Sequence, residues 1–186
     1  MSTRGIIARP VGDSWEGIYH HWDSYPAGLG KALWDVYHGH FDHDVEAMLR
    51  VLIDEHRGGW SNIVDADWAM PIGFRDIKPM SGSVRCNLEA YQKWLAQEEK
   101  GGPQCYCHGD RQEGPYPLIG PDDDCGAEWC YILNTESKMM TVLEAVTREN
   151  EHAVGMFGIN PGKSKWLIRA NVNLEGGEPD WMAIGC

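Results

Sequence analysis

The hexapeptide His38-Gly39-His40-Phe41-Asp42-His43 carries four side chains of the kinds that bind zinc. Imidazole nitrogens and carboxylate oxygens are common zinc ligands in hydrolytic sites. Two neighbouring sets of such ligands can hold two metal ions, which together activate a water molecule as a nucleophile. The spacing therefore predicts, as one alternative, a catalytic metal site made of His38, His40, Asp42 and His43.

This His-x-His-x-Asp-His spelling resembles the metal-binding motif of metallo-β-lactamase-like hydrolases. The resemblance implies that the first two histidines bind one zinc ion, and that the aspartate and the last histidine help to bind a second. In that family the motif follows a buried strand, but residues 31–37 contain Asp35, and an unpaired carboxylate in a core strand is costly. Leu29, Leu33, Val36 and Tyr37 recur instead at helical spacing, which favours a helix that ends near the motif.

A cluster of cysteines forms a second candidate metal site. Cys105, Cys107, Cys125 and Cys130 lie close together in the sequence, and His108 follows Cys107 directly. Zinc prefers a tetrahedron of thiolates and imidazoles, which two pairs of cysteines on neighbouring loops can supply. The sequence predicts a structural zinc site at the four cysteines, with the alternative that Cys130 is an ordinary buried strand residue and the others are incidental thiols.

Composition disfavours several classes of function. A net charge of −12 without any basic run disfavours general nucleic-acid binding, which requires clustered Lys and Arg. No run of roughly 18 apolar residues is present, so no membrane span is expected. The N-terminal residues lack the apolar core of a signal peptide, which predicts a cytoplasmic protein. Six cysteines in such a protein indicate thiols or a metal rather than disulfides.

Strand patterns at both ends of the chain, with helical patterns between them, predict one α+β domain over residues 1–186. We expect a mostly antiparallel sheet built from an N-terminal hairpin and C-terminal strands. The strands are expected at residues 4–9, 15–22, 128–134, 138–146, 165–174 and 180–184. About three helices are expected between them, over residues 26–38, from Asp42 or Asp44 to Gly58, and after Ser83. Residues 60–82 have the composition of a loop.

The first segment is rich in aromatic residues and predicts a ligand surface. Arg4, His21, Asp23 and Tyr25 lie near several tryptophans and tyrosines, so a planar ligand could stack there. The alternative is that these aromatic residues are simply core.

The same segment carries a wider resemblance, in a pattern that runs Ser2-Thr3-Arg4-Gly5 and then Tyr19-x-His21-Trp22-Asp23-Ser24-Tyr25-Pro26-x-Gly28-Leu29-Gly30. This pattern resembles uncharacterised proteins of actinobacteria and bacteriophages. The resemblance implies a hairpin followed by a helix, and it brings no catalytic roles with it. A phage or mobile-element origin would imply a role in host takeover or counter-defence.

The sequence thus favours a small intracellular protein that binds a small molecule or a protein partner, with a structural zinc at the cysteines, rather than an enzyme. The rival hypothesis is a zinc-dependent hydrolase that uses His38, His40, Asp42 and His43. The metal content and its dependence on single side chains separate the two hypotheses.

Overall fold

A seven-stranded sheet organises the computed structural model, which describes residues 3–64, 103–107, 113–123, 125–146 and 166–185. The strands are β1 (Gly5–Val11), β2 (Ser14–His20), β3 (Trp60–Asn62), β4 (Gln104–Cys105), β5 (Trp129–Asn134), β6 (Met139–Ala145) and β7 (Trp166–Asn173). Their order across the sheet is β4-β3-β2-β1-β5-β6-β7. The β1–β5 and β2–β3 pairs are parallel and the other neighbouring pairs are antiparallel. The predicted α+β fold, with a mostly antiparallel sheet built on the N-terminal hairpin and C-terminal strands, is confirmed.

Strand β1 lies inside the sheet, and its sequence reflects burial on both faces. Ile7 packs into the larger core cluster together with the helices, whereas Ile6 and Ala8 pack on the opposite face. A continuous apolar run suits a strand whose two faces are both covered. The hairpin partner β2 approaches closely, because a Cβ at Gly17 would lie 2.3 Å from the carbonyl oxygen of Ile7.

The first helix confirms the helical interpretation of residues 31–37. A π-helical turn, Pro26–Gly30, leads directly into α1 (Lys31–His38), and Pro26 occupies the first turn as expected. Asp35, which argued against a buried strand, is exposed, and its carboxylate accepts from the Lys31 ammonium one turn earlier at 2.8 Å. The predicted apolar face is buried, including Leu33 and Tyr37 with no exposed surface.

The second helix begins at the predicted cap. The Asp44 carboxylate accepts from the backbone N–H of Ala47 at 2.9 Å, and α2 (Val45–Leu49) continues as a π-helical segment, Arg50–Asp54. Its apolar stripe faces the core. The buried members are Val45, Met48, Leu49, Leu52 and Ile53.

Two predicted elements differ. Residues 180–184 were predicted to be a strand, which is wrong, because the chain forms a short helix there, α3 (Trp181–Ile184). Asp180 caps this helix by accepting from two backbone N–H groups at 3.1 Å. Residues 60–62, predicted to lie in a loop, form β3.

The helix predicted after Ser83 lies outside the described residues. Within the described part of the chain, no helix combines the length and apolar character needed to cross a membrane.

Candidate metal centre and the adjoining cavity

The candidate metal centre forms where β3 and β4 pair beside the end of the second helix. Trp60 lies opposite Cys105 in the antiparallel β3–β4 pair, and it also pairs with His20 of β2 in parallel. The Trp60 indole N–H donates to the carbonyl oxygen of Leu52 at 2.8 Å, which fixes β3 against the helix. This register places His56, four residues before Trp60, next to the cysteines that follow Gln104.

Two glycines allow the backbones to approach this closely. A Cβ at Gly58 would lie 2.5 Å from the Glu113 carbonyl oxygen and 2.9 Å from the Cys107 nitrogen. Gly59 has a φ of +82°, a conformation that L side chains rarely adopt. The sequence suggested that these glycines end a helix, but their main role here is to bring the turn against the Cys107 backbone.

His56, Cys105 and Cys107 form the candidate ligand set. The Cys107 sulfur lies 3.3 Å from the His56 Nδ1 atom and 3.3 Å from the Cys105 sulfur. One potential ligand atom from each residue lies within 4.8 Å of the other two. His56 and Cys105 are buried, whereas Cys107 retains some exposure. Three soft or borderline donors thus converge on one point at the edge of the sheet.

The neighbours of Cys107 favour its ionised form. The hydrogen bond between the Cys107 and Cys105 sulfurs, together with His56, lowers the pKa of Cys107 to about 4 even though partial burial acts in the opposite direction. Thiolates, not thiols, bind metal ions. Cys107 therefore needs no loss of a proton to act as a ligand at neutral pH.

The geometry of the cluster fits zinc. Zinc–sulfur bonds of about 2.3 Å and zinc–nitrogen bonds of about 2.0–2.1 Å place the ligand atoms of a tetrahedral site roughly 3.6–3.8 Å apart. Two of the observed separations are 3.3 Å, a few tenths of an ångström shorter than these values, and all three ligand atoms lie within 4.8 Å of one another. Two thiolates and a neutral imidazole also balance the charge of a divalent ion, which matters at a site this buried.

The structure unites two of the four predicted cysteines. Cys105 and Cys107 belong to the cluster with His56, but Cys130 is fully buried in the core on the other face, and Cys125 packs against that core. Burial and the nearby Cys125 hold the pKa of the Cys130 thiol well above its usual value, which suits an inert core residue. None of the four is in a disulfide. Ligand roles for Cys125 and Cys130 remain predictions without geometric support in the described residues.

The hexapeptide His38 to His43 lies across the end of α1 and the turn that follows, not after a buried strand. The His38 Nδ1 atom is 2.9 Å from the Trp34 carbonyl oxygen, and its ring packs on the Trp34 ring with centroids 4.1 Å apart. Asp42 and His43 have positive φ angles of 45° and 66°. The three-ligand cluster found in the described residues includes none of the motif's four side chains.

The four residues of the predicted ligand surface are divided by the fold. Arg4 is exposed, and its backbone N–H lies 3.4 Å from a Glu128 carboxylate oxygen. Asp23 and Tyr25 are exposed at the corner between β2 and the first helix. His21 instead lines a cavity of about 360 Å³ that adjoins the metal centre.

This cavity is bounded by aromatic and charged side chains. Its walls include Tyr19, Tyr106 and Tyr116, with Arg57 and Glu113. The Tyr19 hydroxyl and the His21 Nδ1 atom are hydrogen-bonded at 2.8 Å, which orients the imidazole. The cavity is also lined by Arg57 to Gly59 and by Tyr106. These residues are next to His56 and Cys107 in the chain, so the cavity and the candidate metal centre share backbone segments.

The corner that carries the N-terminal sequence pattern is built by close packing. A Cβ at Gly28 would lie 2.2 Å from the Asp23 carbonyl oxygen, and one at Gly30 would touch the Trp181 and Tyr131 rings. The Tyr131 hydroxyl donates to the carbonyl oxygen of buried Ser24 at 2.7 Å. The pattern therefore encodes a structural corner.

Buried His20 holds this corner to β3. Its Nε2 atom accepts from the Ile63 N–H at 3.2 Å, so the proton resides on Nδ1 and is donated to the Ser24 hydroxyl at 2.7 Å. Complete burial, with a smaller contribution from neighbouring His21, lowers the pKa of His20 to about 3. His20 is neutral and structural at physiological pH.

Comparisons of the chain with protein-family models, with curated proteins and with solved structures find no match.

His56 is the residue that sequence reasoning missed. The imidazole that follows the cysteines in the sequence, His108, lies outside the described residues. His56 and Cys107 are 51 positions apart, so no local spacing links them. The pairing of Trp60 with Cys105 supplies the link, and β3 was not predicted.

Proposed function

We propose that the protein is a metal-dependent binding protein in which His56, Cys105 and Cys107 hold one zinc ion. The observation that carries this proposal is the convergence of the three ligand atoms within 4.8 Å of one another. The ion would join the end of the second helix to the two-residue strand β4. Two buried ligands, His56 and Cys105, next to short strands suit a structural role, because metal binding then contributes directly to folding.

The adjoining cavity is the ligand surface of this proposal. Its tyrosines, His21 and Arg57 offer stacking faces and hydrogen-bond donors, which are the usual lining of a small-molecule site. Metal binding and ligand binding would be coupled, since the cavity walls at Arg57 to Gly59 and Tyr106 flank the metal ligands in the chain. A small planar ligand suits the volume and the aromatic lining better than an extended peptide does.

Elemental analysis of the purified protein after zinc loading and dialysis tests the metal site. We expect one zinc per chain in the wild type and its loss in His56→Ala, Cys105→Ser and Cys107→Ser. Cys125→Ser and Cys130→Ala are matched controls, because they remove thiols that lie outside the cluster, and both should retain the metal. Circular dichroism of each variant separates a lost ligand from a lost fold.

The result that contradicts the proposal is equally specific. If His56→Ala retains zinc and His108→Ala loses it, the imidazole ligand is His108 and not His56. Loss of zinc in Cys130→Ala with an intact fold would restore the four-cysteine site. A wild-type protein that binds no zinc would refute a metal-dependent function.

A further inference from the structure

Cys105 and Cys107 are a pair of thiols at reacting distance. Their sulfur atoms lie 3.3 Å apart, while a disulfide bond is about 2.05 Å long, so the two atoms must approach by little more than 1 Å. One residue separates them, and the chain turns at Tyr106 and Cys107 directly after β4, so the two side chains already converge. Neither sulfur is in a disulfide in this structure.

The two sulfurs differ in access. Cys107 is partly exposed, whereas Cys105 is only 8% exposed and lies in the core cluster. A small oxidant from solvent therefore meets Cys107 first, and Cys105 is positioned behind it as the second thiol. Redox-sensitive cysteines commonly combine an accessible sulfur with a neighbouring one that resolves the oxidised intermediate.

We infer that Cys105 and Cys107 form a redox-active dithiol that hydroperoxides oxidise to a disulfide, and that this oxidation expels the metal ion. The dithiol chemistry stands on the sulfur geometry, whereas the expulsion of metal rests on the proposed function. It adds to that function a regulation of the same site by the redox state of its ligands.

The reaction balances with hydrogen peroxide as the oxidant. The Cys107 thiolate attacks one peroxide oxygen, the O–O bond breaks, and hydroxide leaves, giving a sulfenic acid on Cys107. The Cys105 sulfur then attacks the Cys107 sulfur, the S–O bond breaks, and the leaving hydroxide takes up the Cys105 proton as water. In sum, the Cys107 thiolate and the Cys105 thiol are oxidised to one disulfide, and hydrogen peroxide is reduced to one water molecule and one hydroxide ion, which takes up a proton from solvent.

Disulfide formation and metal binding are mutually exclusive at this site. A disulfide sulfur carries no negative charge and is a poor ligand for zinc, which is bound by thiolates. After oxidation, His56 is the one member of the cluster that can still bind the ion. A single imidazole cannot retain zinc against water, so the ion leaves and returns when the disulfide is reduced.

Mass spectrometry of metal-free, reduced protein treated with hydrogen peroxide tests the dithiol. We expect the intact chain to lose the mass of two hydrogen atoms. Trypsin should give residues 101–111 as one peptide with the same loss, and further cleavage after Tyr106 should leave two peptides joined by the disulfide. Dithiothreitol should reverse the change. Cys107→Ser should abolish the disulfide, whereas Cys125→Ser should leave it unchanged.

A second measurement follows the metal and separates the two proposals. Zinc-loaded protein treated with peroxide in the presence of a chromophoric chelator should release one zinc per chain in parallel with disulfide formation. If zinc binds but peroxide yields sulfinic acid at Cys107, or no disulfide between Cys105 and Cys107, the dithiol inference is wrong and the metal site stands. If the disulfide forms in a protein that never binds zinc, the proposed function and the metal release are both wrong, and the dithiol stands.

Discussion

Trp60 and Cys105 are register partners across the antiparallel β3–β4 pair, and this single pairing brings His56 to the two cysteines. The Trp60 ring is fully buried and packs against the His56 ring, with centroids 4.6 Å apart and the ring planes tilted by 47°. The Trp60 side chain thus positions one candidate metal ligand, His56, while the Trp60 backbone positions the strand that carries the other two candidates. The candidate site is a consequence of sheet register.

The first prediction concerns stability in the presence of zinc. A ligand that binds the folded state alone stabilises it by about 2.7 kcal/mol at one hundred times its dissociation constant. For a chain of this size we expect the Tm to rise by roughly 5–10 °C under those conditions. Thermal denaturation of reduced protein with zinc and with a chelator measures the shift. His56→Ala should show no such shift, and a zinc-dependent Tm in that variant would contradict the assignment.

The second prediction concerns pH. Because the pKa of His20 is about 3 in the folded protein and near 6.5 when unfolded, the unfolded chain takes up this proton first as the pH falls. The contribution of His20 to stability is therefore complete above pH 6.5 and declines below it, by about 1.4 kcal/mol per pH unit. Urea denaturation of metal-free protein between neutral and mildly acidic pH measures the slope.

His20→Gln supplies the comparison for that measurement. The variant should be less stable at neutral pH, because it disturbs the link to Ser24 and Ile63, but its stability should fall less steeply with acid. An unchanged slope in His20→Gln would show that His20 titrates normally in the folded state.

The third prediction concerns the corner after β2. Gly28→Ala places a methyl group 2.2 Å from the Asp23 carbonyl oxygen, so the backbone must shift. We expect a loss of about 1–3 kcal/mol in the free energy of unfolding. Gly177→Ala is the control, because nothing lies within 4 Å of its added methyl group. Equal stabilities of the two variants in chemical denaturation would mean that the corner tolerates the change.

The fourth prediction tests whether a ligand binds in the cavity or at the ligand surface predicted from the sequence. Tyr116 is 50% exposed at the cavity, and Tyr25 is 42% exposed at the corner, so the two side chains are matched in type and exposure. We expect Tyr116→Ser to weaken binding of the aromatic anionic dye anilinonaphthalene sulfonate by roughly 2- to 10-fold, the value of one aromatic contact. Tyr25→Ser should leave the affinity unchanged. The reverse pattern in a fluorescence titration would favour the corner.

The fifth prediction concerns the hexapeptide. The double variant His38→Ala/His40→Ala should retain the zinc content of the wild type, because neither imidazole belongs to the cluster. It should be less stable, since the His38 ring covers Trp34. Loss of two metal ions per chain in elemental analysis would instead support the hydrolase hypothesis.

The parts of the fold that could be predicted are those set by local pattern. The apolar run of β1, the stripe from Val45 to Ile53 and the cap at Asp44 depend on neighbours within one or two turns, and the sequence displays them directly. The short helix at Trp181 was mistaken for a strand, because four residues contain too little periodicity. The segment forms a helix in which Trp181 is buried against Gly30, a residue far away in the sequence, so no local pattern reveals the contact.

The candidate site could be predicted in part for the same reason. Cys105 and Cys107 are neighbours, so their pairing was visible in the sequence. Cys130 lies in strand β5, where successive side chains point to opposite faces of the sheet. It therefore packs on the face opposite to Tyr131, away from the core cluster that contains Cys105. The role of His56 depended on the three-residue strand β3, which is too short to give a strand pattern of its own.

The short strands beyond β2 have a consequence for self-association. The outer edge of β2 pairs with Ile119 at Gly17, through two hydrogen bonds, and with Trp60 at His20. The strands beyond it are short, since β3 has three residues and β4 has two. A seven-residue strand stripped of these neighbours would present unpaired N–H and C=O groups that a second molecule could extend. A metal ion that holds β4 to the turn before β3 would thus also keep the chain from templating its own aggregation.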